Sequence, residues 1–504
     1  MRATVAAGQR LVLDGAHRTL RAGRRAYEGA LTNNLLVVLV LLIATFMLAV
    51  GRALLGGDSW LTFMVGREIV DHGLPHHESL TTIPLGRTWT DQQWLAQLLF
   101  YRLERLGGLG LAVLFHALMV TTALAIAVVA SRVRGASARM TLVGAIVCLL
   151  VAPWSWQLRA QSIALPLFAL TLALTATDRR LAAPRTWLVF PILVLWANVH
   201  GSVVLGAILV SFAALLALVG ALGRDSGQRA ARLWRSAVFL LAPWACILIS
   251  PYGTDLVAYY RLLLVDSPVS KYITEWQAPH PDGYTLVFFV VAVATVVIVV
   301  WQRRRLSLYD LGVLALTLAG ASRSVRAVVW FSLALAILLP VALDGFVRPS
   351  ARPPVHRRLA LGLVAALTCI VAATAAFVVT RSEAWYEHGW PTAAARATAH
   401  AASTSDTRAA VWPSDAYADW LLWKEPSLRG RLAWDVRFEL LTEPELRSIV
   451  RFKARKQGWQ ASTTSYPILV LDPRETPKQV QALRRQPGTT VVFSSKSVVV
   501  LLQR

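Results

Sequence analysis

The sequence predicts an α-helical polytopic membrane protein of about 11 transmembrane helices followed by a C-terminal extracytoplasmic α/β domain. Three observations carry that expectation. Of 504 residues, 56% are apolar and only 16% charged, whereas a soluble chain carries roughly a quarter charged residues. Mean hydropathy is +0.52, and apolar runs recur along the first 380 residues. After Thr380 the composition changes, with 18 Lys/Arg and 12 Asp/Glu in 124 residues and no run long enough to span. A soluble enzyme is excluded. The three cysteines, Cys148, Cys246 and Cys369, each lie in an apolar run, so neither a disulfide framework nor a Cys-based zinc site is available.

Residues 1–30 form a basic cytoplasmic segment with six arginines. Its stretch from Gln9 to Arg25 reads either as an amphipathic helix on the anionic inner leaflet or as a solvated tail. The transmembrane bundle follows over 31–380, with apolar runs near 35–55, 109–130, 138–157, 161–178, 186–200, 202–220, 236–250, 284–301, 307–321, 327–347 and 359–380. Several fall short of the roughly 20 residues that cross about 30 Å of hydrocarbon, so they borrow flanking Trp and polar residues or are re-entrant. The first run is longer than a signal-peptide core and has no A-x-A site after it, which predicts a retained anchor.

Loop charge sets the expected orientation. With the N-terminus in the cytoplasm, the loops on that side hold 23 Lys/Arg and the longer opposite loops hold 10. The positive-inside rule then gives a multi-pass protein of the cytoplasmic membrane with an odd number of spans and an external C-terminus. The formal charge of +23 is accounted for by this dispersed topology signal, and nucleic acid is not an expected partner. Membrane lipid is.

The domain at 381–504 reads as strand Arg408 to Trp412, helix Ser414 to Trp423, strand Leu432 to Val436, helix Glu443 to Lys456, strand Pro467 to Leu471, helix Pro477 to Arg485 and a hairpin, Thr489 to Phe493 with Ser497 to Leu502. Strands alternating with helices imply a small α/β layer. No Gly-rich phosphate loop opens any of these helices.

Functional side chains concentrate in the external loops, above all in 56–108. Asp58 precedes a helical pattern from Trp60 to Val70, expected to lie along the membrane surface. It is the best-placed carboxylate to act as a base just outside the hydrocarbon, or it is that helix's N-cap. Glu78 and Asp91 are candidates to orient an acceptor or bind a metal, or are solvated loop acids. His76, His77 and Glu78 offer a weak divalent-metal reading, since adjacent side chains seldom converge on one ion. Asn198 and His200, at the external end of the fifth span, read as ligand-binding groups or as caps for exposed carbonyls. Glu275 and Trp276 suit a sugar or the headgroup level. Arg323 and Arg326 stand against the charge bias at an external boundary, where two guanidinium groups on one helix face could hold a lipid phosphate or snorkel to headgroups.

The pattern Asp58-x-Trp60 … Gly66 … Gly73-x-Pro75-x-x-Glu78-Ser79-x-x-Thr82 … Gly86-x-x-Trp89-x-Asp91-x-x-Trp94-Leu95 resembles the first external loop of bacterial membrane proteins grouped with the GT-C glycosyltransferase superfamily. Further matches are Trp196-Ala197-Asn198-x-His200-Gly201, Pro251-Tyr252-Gly253, Glu275-Trp276, Arg323-Ser324-x-Arg326 and Trp434-Asp435-x-Arg437. The resemblance covers nearly the whole chain and implies a GT-C-like bundle. It implies that Asp58 activates or positions the acceptor, and that a polyprenyl-phosphate-linked sugar is the donor. The family pattern has Asp where this chain has Glu78.

The resulting expectation is a membrane glycosyltransferase that moves a sugar from a polyprenyl-phosphate donor to an extracytoplasmic acceptor. The alternative is a non-catalytic lipid-glycan binding or cell-envelope assembly protein, and in either case an acceptor or envelope protein is an expected partner. A transporter is disfavoured, because the acids of an intramembrane proton relay are nearly absent.

Overall fold

The computed structural model describes residues 33–50, 55–222, 229–265, 268–346, 357–405 and 410–503. The expected basic segment 1–30 lies outside these residues, as do Asp266 and Arg408.

A helix occupies each of the eleven apolar runs. In chain order, with one helix of the 56–108 loop and one of the 251–283 loop included, they begin with α1 (Asn33–Ala49), α2 (Gly57–His72), α3 (Trp94–Val133), α4 (Ala138–Val151), α5 (Gln161–Thr177) and α6 (Val189–Val199). They continue with α7 (Val203–Leu222), α8 (Arg229–Ile247), α9 (Asp255–Leu264), α10 (Leu286–Gln302), α11 (Leu308–Arg323), α12 (Val328–Leu338) and α13 (Arg357–Val379). Helix α3 is broken at Gly107 and Gly108, the latter with φ +68°, a conformation that favours glycine. The apolar half of α3 therefore begins at Leu109.

By length and composition four helices among the described residues can cross a membrane, and a fifth is a pair bent by 47° between Leu338 and Pro340. The other apolar helices are shorter. The 14 residues of α4 reach about 21 Å at 1.5 Å per residue, less than the hydrocarbon thickness of about 30 Å. Helix α12 is the centre of the bundle, with all of its residues buried against α3, α4, α5 and α11. By contrast, only 11% of the apolar window of α10 and 6% of that of α13 is buried inside the protein. Such apolar outer surface is stable in lipid and costly in water. The chain is a polytopic α-helical membrane protein.

The C-terminal domain comprises α14 (Thr392–Thr404), β1 (Val411–Pro413), α15 (Ala418–Lys424), α16 (Glu443–Lys453), β2 (Ile468–Leu471), α17 (Pro477–Arg484), β3 (Thr489–Ser494) and β4 (Val499–Gln503). The sheet order is β1-β2-β4-β3. β1 and β2 are parallel, while β4 is antiparallel to both β2 and β3. The apolar run Ile468–Leu471 is buried throughout, as a central strand requires. The strand expected over Leu432 to Val436 does not form. Leu432 makes only isolated bridges, to Val411 and Thr81. Beyond it the Asp435 carboxylate accepts the N–H of Arg437, just past the expected strand, at 2.9 Å, a local bond that turns the chain.

Bundle and domain are fastened through the 56–108 loop. Helix α2 packs on α3 and α15. Gly66 allows the close approach to α3, since a Cβ there would lie 2.3 Å from the Gln97 carbonyl oxygen. Arg67 donates to the carbonyls of Leu422 (2.6 Å) and Trp423 (2.9 Å), capping the exposed C-terminal end of α15. The helix expected to lie along the membrane surface is thus enclosed, with its residues from Ser59 to Gly66 all buried.

Candidate functional site

The N-cap of α2 is Gly56, in extended backbone, and Asp58 belongs to the first turn. This corrects the N-cap reading of Asp58: its carboxylate has no capping bond to make and is 35% exposed. Ser59 Oγ accepts the N–H of Gly56 (3.1 Å) and donates to the carbonyl of Leu158 (2.5 Å), which ties the start of α2 to the break between α4 and α5. That tie brings Arg159 beside Asp58, with Nη1 3.2 Å from Oδ2. Arg159 also lies 3.5 Å from Glu275 Oε2, and its side chain is 4% exposed.

Glu275 lies in a single helical turn, Thr274–Trp276. Ser324 Oγ donates to the Glu275 carbonyl and the Val325 N–H to the Gln277 carbonyl, both at 3.0 Å. These bonds fix the chain after α11. Helix α11 ends at Arg323, Ser324 is extended, and a new single turn takes in Val325–Ala327. Arg323 and Arg326 consequently do not share a helix face, which corrects the expected paired clamp. Arg323 is exposed. Arg326 turns inward, with Nε 3.6 Å from Glu275 Oε2 and Nη2 4.0 Å from Asp58 Oδ2. Its guanidinium lies over the Trp276 ring, 5.2 Å from the centroid, in cation–π geometry.

Two carboxylates and two guanidinium groups therefore meet at one end of the bundle, contributed by four separate segments. His200 lies within electrostatic reach of Arg326 and Arg159, with Nδ1 accepting the N–H of Ser202 at 3.1 Å. The C-terminal domain adds Glu439, close enough to Arg326 for the two to interact. Burial raises the pKa of Glu439 above the ordinary carboxylate range, partly opposed by Arg437 and Arg326. Asp419, on α15, is fully buried and neither carboxylate oxygen has a hydrogen-bond partner. Burial first, and then Asp435, push its pKa well above the ordinary carboxylate value.

The remaining candidates have other work. Glu78 is 2% exposed. Its Oε1 accepts the N–H groups of Leu80 and Thr81 and the Thr81 hydroxyl, and both oxygens face Arg437, with Nη1 2.5 Å from Oε2. Arg437 in turn binds Asp435 and stacks on Trp89 at 4.1 Å. Glu78 is thus half of a buried clasp between loop and domain, with its hydrogen-bonding capacity spent inside the protein, and is not a wet-loop ligand. Asp91 is 3% exposed, and burial raises its pKa to about 7 against the opposing effects of the Gln93 backbone, Arg437 and Gln97. Asn198 accepts from Trp94 Nε1 (2.9 Å) and donates to the carbonyls of Val194 and Ile249, which joins α3, α6 and the end of α8.

The metal trio does not assemble. Along the extended stretch His76 lies against Tyr252, His77 is exposed, and Glu78 points into the Arg437 clasp; alternation turns His77 away from Glu78. Among the described residues no three His, Cys, Asp or Glu side chains are grouped to hold an ion. The donor set at Asp58 and Glu275, both facing guanidinium groups, suits a phosphate-bearing ligand instead.

Arg159 escaped sequence reasoning although its signal was present. It is the single basic residue of a short loop on the charge-poor side, the same argument that singled out Arg326. Glu439 and Asp419 carry no local motif, and only the docking of the C-terminal domain brings them to the site.

No family model matches the chain, and no curated relative does either. Solved structures do. The archaeal oligosaccharyltransferase AglB from Archaeoglobus fulgidus, in complex with an inhibitory peptide and a dolichol-phosphate, is 12% identical, over 88% of this chain and 70% of that one, with a TM-score of 0.50. ArnT from Cupriavidus metallidurans bound to undecaprenyl phosphate is 16% identical, over 93% of this chain and 97% of that one, with a TM-score of 0.47. The likeness to AglB establishes the architecture, and the chain shares that fold: a polytopic helical bundle with a C-terminal α/β domain closing one end.

Proposed function

We propose that the chain is a membrane glycosyltransferase that moves a sugar from a polyprenyl-phosphate donor to an extracytoplasmic acceptor, with its N-terminus in the cytoplasm and its C-terminal domain outside. The observation that carries the reading is the cluster of Asp58, Glu275, Arg159 and Arg326 at the domain-bearing end of the bundle. The excess of Lys/Arg in the loops assigned to the cytoplasm supports the orientation. AglB, of like fold, is an oligosaccharyltransferase seen with a dolichol-phosphate, which supports a lipid-phosphate donor.

In this reading Asp58 takes the proton of the acceptor hydroxyl as its oxygen attacks the anomeric carbon. The bond from that carbon to the phosphate oxygen breaks, and its electron pair leaves on the phosphate. Arg159 and Arg326 stabilise that charge, and their fixed placement costs no reorganisation at the moment of reaction. Donor binding exchanges partners: Glu275, 45% exposed, yields the guanidinium edges to the phosphate and turns to solvent. Trp276 keeps Arg326 aligned throughout.

The direct test is mass spectrometry of lipids retained by the purified protein. Wild type is expected to hold polyprenyl phosphate or its sugar adduct, and the Arg159→Ala/Arg326→Ala double variant is expected to lose it. Equal retention, or bulk phospholipid alone in both, removes the donor site. Retention of the sugar adduct with no turnover by wild type under any acceptor supply would favour the non-catalytic binding or assembly alternative.

A further inference from the structure

A second cavity lies between the 56–108 loop and the C-terminal domain, and it belongs to none of the chemistry above. Its volume is about 440 Å³, within the range of about 300–1,000 Å³ usual for small-molecule pockets. One wall is the loop, where the N–H groups of Thr82 and Ile83 donate to the carbonyls of Leu432 (2.7 Å) and Ala433 (3.0 Å). The other walls carry Trp412, Tyr466, Glu445, Ser448 and Ser462. We infer that this cavity is a binding site for a neutral sugar ring, separate from the transfer site.

The chemistry of the lining selects that class. The half-buried Tyr466 ring offers the apolar face against which the C–H side of a pyranose packs, backed by the Trp412 ring 5.2 Å away at 57°. Trp412 is 2% exposed and packed against Trp434 and Phe452 as well, so it holds Tyr466 in place from behind. Opposite it, Glu445 and Ser448 lie three residues apart on one face of α16. Ser448 Oγ donates to Ser462 Oγ, which donates on to the Ser448 carbonyl, both at 3.0 Å. The Ser448 oxygen is left to accept from a ligand hydroxyl at the head of a hydrogen-bond chain.

Glu445 is charge-compensated. Arg87 binds it through both nitrogens, Nη1 to Oε2 at 2.7 Å and Nη2 to Oε1 at 2.6 Å, and the Thr442 N–H takes Oε2 at 2.8 Å. Lone-pair capacity remains on Oε1 for a hydroxyl donor. Among the described residues no Lys or Arg lines the cavity itself, which disfavours a phosphate or carboxylate ligand. An acyl chain would leave the remaining lone pairs on Glu445 Oε1 and Ser448 Oγ desolvated and unpaired. A ring with one apolar face and a rim of hydroxyls meets both sides.

The test uses the full chain in lipid nanodiscs, free of glycoside detergents whose head groups would compete. Saturation-transfer NMR is recorded with maltose, cellobiose and chitobiose as probes. At least one is expected to bind with a dissociation constant of about 1 mM, typical of a small ligand making few contacts. Ala461→Phe fills the cavity from an exposed lining position and is expected to abolish the signal. Ser448→Ala is expected to weaken binding about three- to tenfold, the loss of one hydrogen bond. Asp58→Asn is expected to bind as wild type does, which separates this site from the transfer reaction. The inference is overturned if none of the three sugars gives a signal at about 10 mM, roughly tenfold above that constant. It is equally overturned if folded Ala461→Phe binds normally, if Ser448→Ala leaves affinity unchanged, or if Asp58→Asn abolishes binding.

Discussion

Arg159 Nη1 stands 3.2 Å from Asp58 Oδ2 and 3.5 Å from Glu275 Oε2 on a side chain only 4% exposed. One enclosed guanidinium therefore sets the separation of two carboxylates, Asp58 and Glu275, that lie far apart in the sequence. Removing it leaves them facing one another with Arg326 alone between them. Arg159→Ala is expected to lower sugar transfer from a polyprenyl-phosphate donor by about 100-fold or more, the scale of losing one preorganised charge stabiliser. Arg159→Lys keeps the charge but loses the fork, and an intermediate rate is expected. Transfer measured in membranes supplied with donor checks this, and an Arg159→Ala rate within about threefold of wild type would remove Arg159 from the mechanism.

Among the described residues the Asp58 carboxylate faces the guanidinium groups of Arg159 at 3.2 Å and Arg326 at 4.0 Å, and the side chain is 35% exposed, open to an acceptor hydroxyl. Asp58→Asn keeps the shape and removes the basicity. The expected outcome is a fall in kcat of about 10²- to 10⁴-fold, the usual contribution of a positioned base, while retained donor lipid stays at the wild-type level. Unchanged transfer, with donor present, would end the assignment of Asp58 as base.

The Glu78–Arg437–Asp435 clasp has a structural signature instead. All three side chains are at most 3% exposed, with 2.5 Å contacts from Arg437 to each carboxylate. Breaking such a buried pair by removing one partner costs about 3–5 kcal/mol. Arg437→Ala is expected to lower the thermal unfolding temperature by several degrees and to make the C-terminal domain more sensitive to protease. Donor KM in whatever folds is expected to stay unchanged, since Glu78 has no free face for substrate. Wild-type stability in Arg437→Ala, or a selective rise in KM, would return Glu78 to the list of substrate ligands.

The helices were legible because lipid imposes one rule on every apolar run: its backbone must bond internally. Each of the eleven runs is a helix, and the change of composition after Thr380 marks the start of the mixed domain. The strand expected at Leu432 to Val436 is reduced to isolated bridges at Leu432, and the chain turns away at Asp435, whose carboxylate takes the Arg437 N–H just past it, a local turn that strand propensity does not register. In the site, Asp58, Glu275, Trp276 and Arg326 were each visible as polar groups at an interface, and the structure brings them together. Their convergence was not legible, because it depends on Ser59 and Ser324 holding distant loops by single hydrogen bonds. Glu78 and Asp91 read in the sequence either as acceptor- or metal-binding groups or as solvated loop acids, because nothing near them in the chain announces the domain, more than 300 residues on, that covers Glu78.

Asp91 supplies a pH signature that a solvated loop acid would lack. It is 3% exposed, its Oδ2 has no hydrogen-bond partner, and burial raises its pKa from the ordinary 3.8 to about 7. The folded protein thus binds this proton more tightly than the unfolded chain does. Below the unfolded value both states are protonated and the group is neutral to stability. As pH rises from about 4 to about 7 the unfolded state ionises first, so stability falls, and above the folded value the penalty is constant. At about 1.4 kcal/mol per pH unit the full effect is at most about 4 kcal/mol. Asp91→Asn cannot ionise and is expected to escape the fall. Thermal unfolding of the two proteins in detergent, followed from about pH 4.5 to about pH 8, is therefore expected to show curves that diverge with rising pH, the variant becoming the more stable above neutrality. Parallel curves would mean that water or a cation reaches Asp91 and keeps it ionised, and the enclosure of the loop by the C-terminal domain would then be looser than the geometry requires.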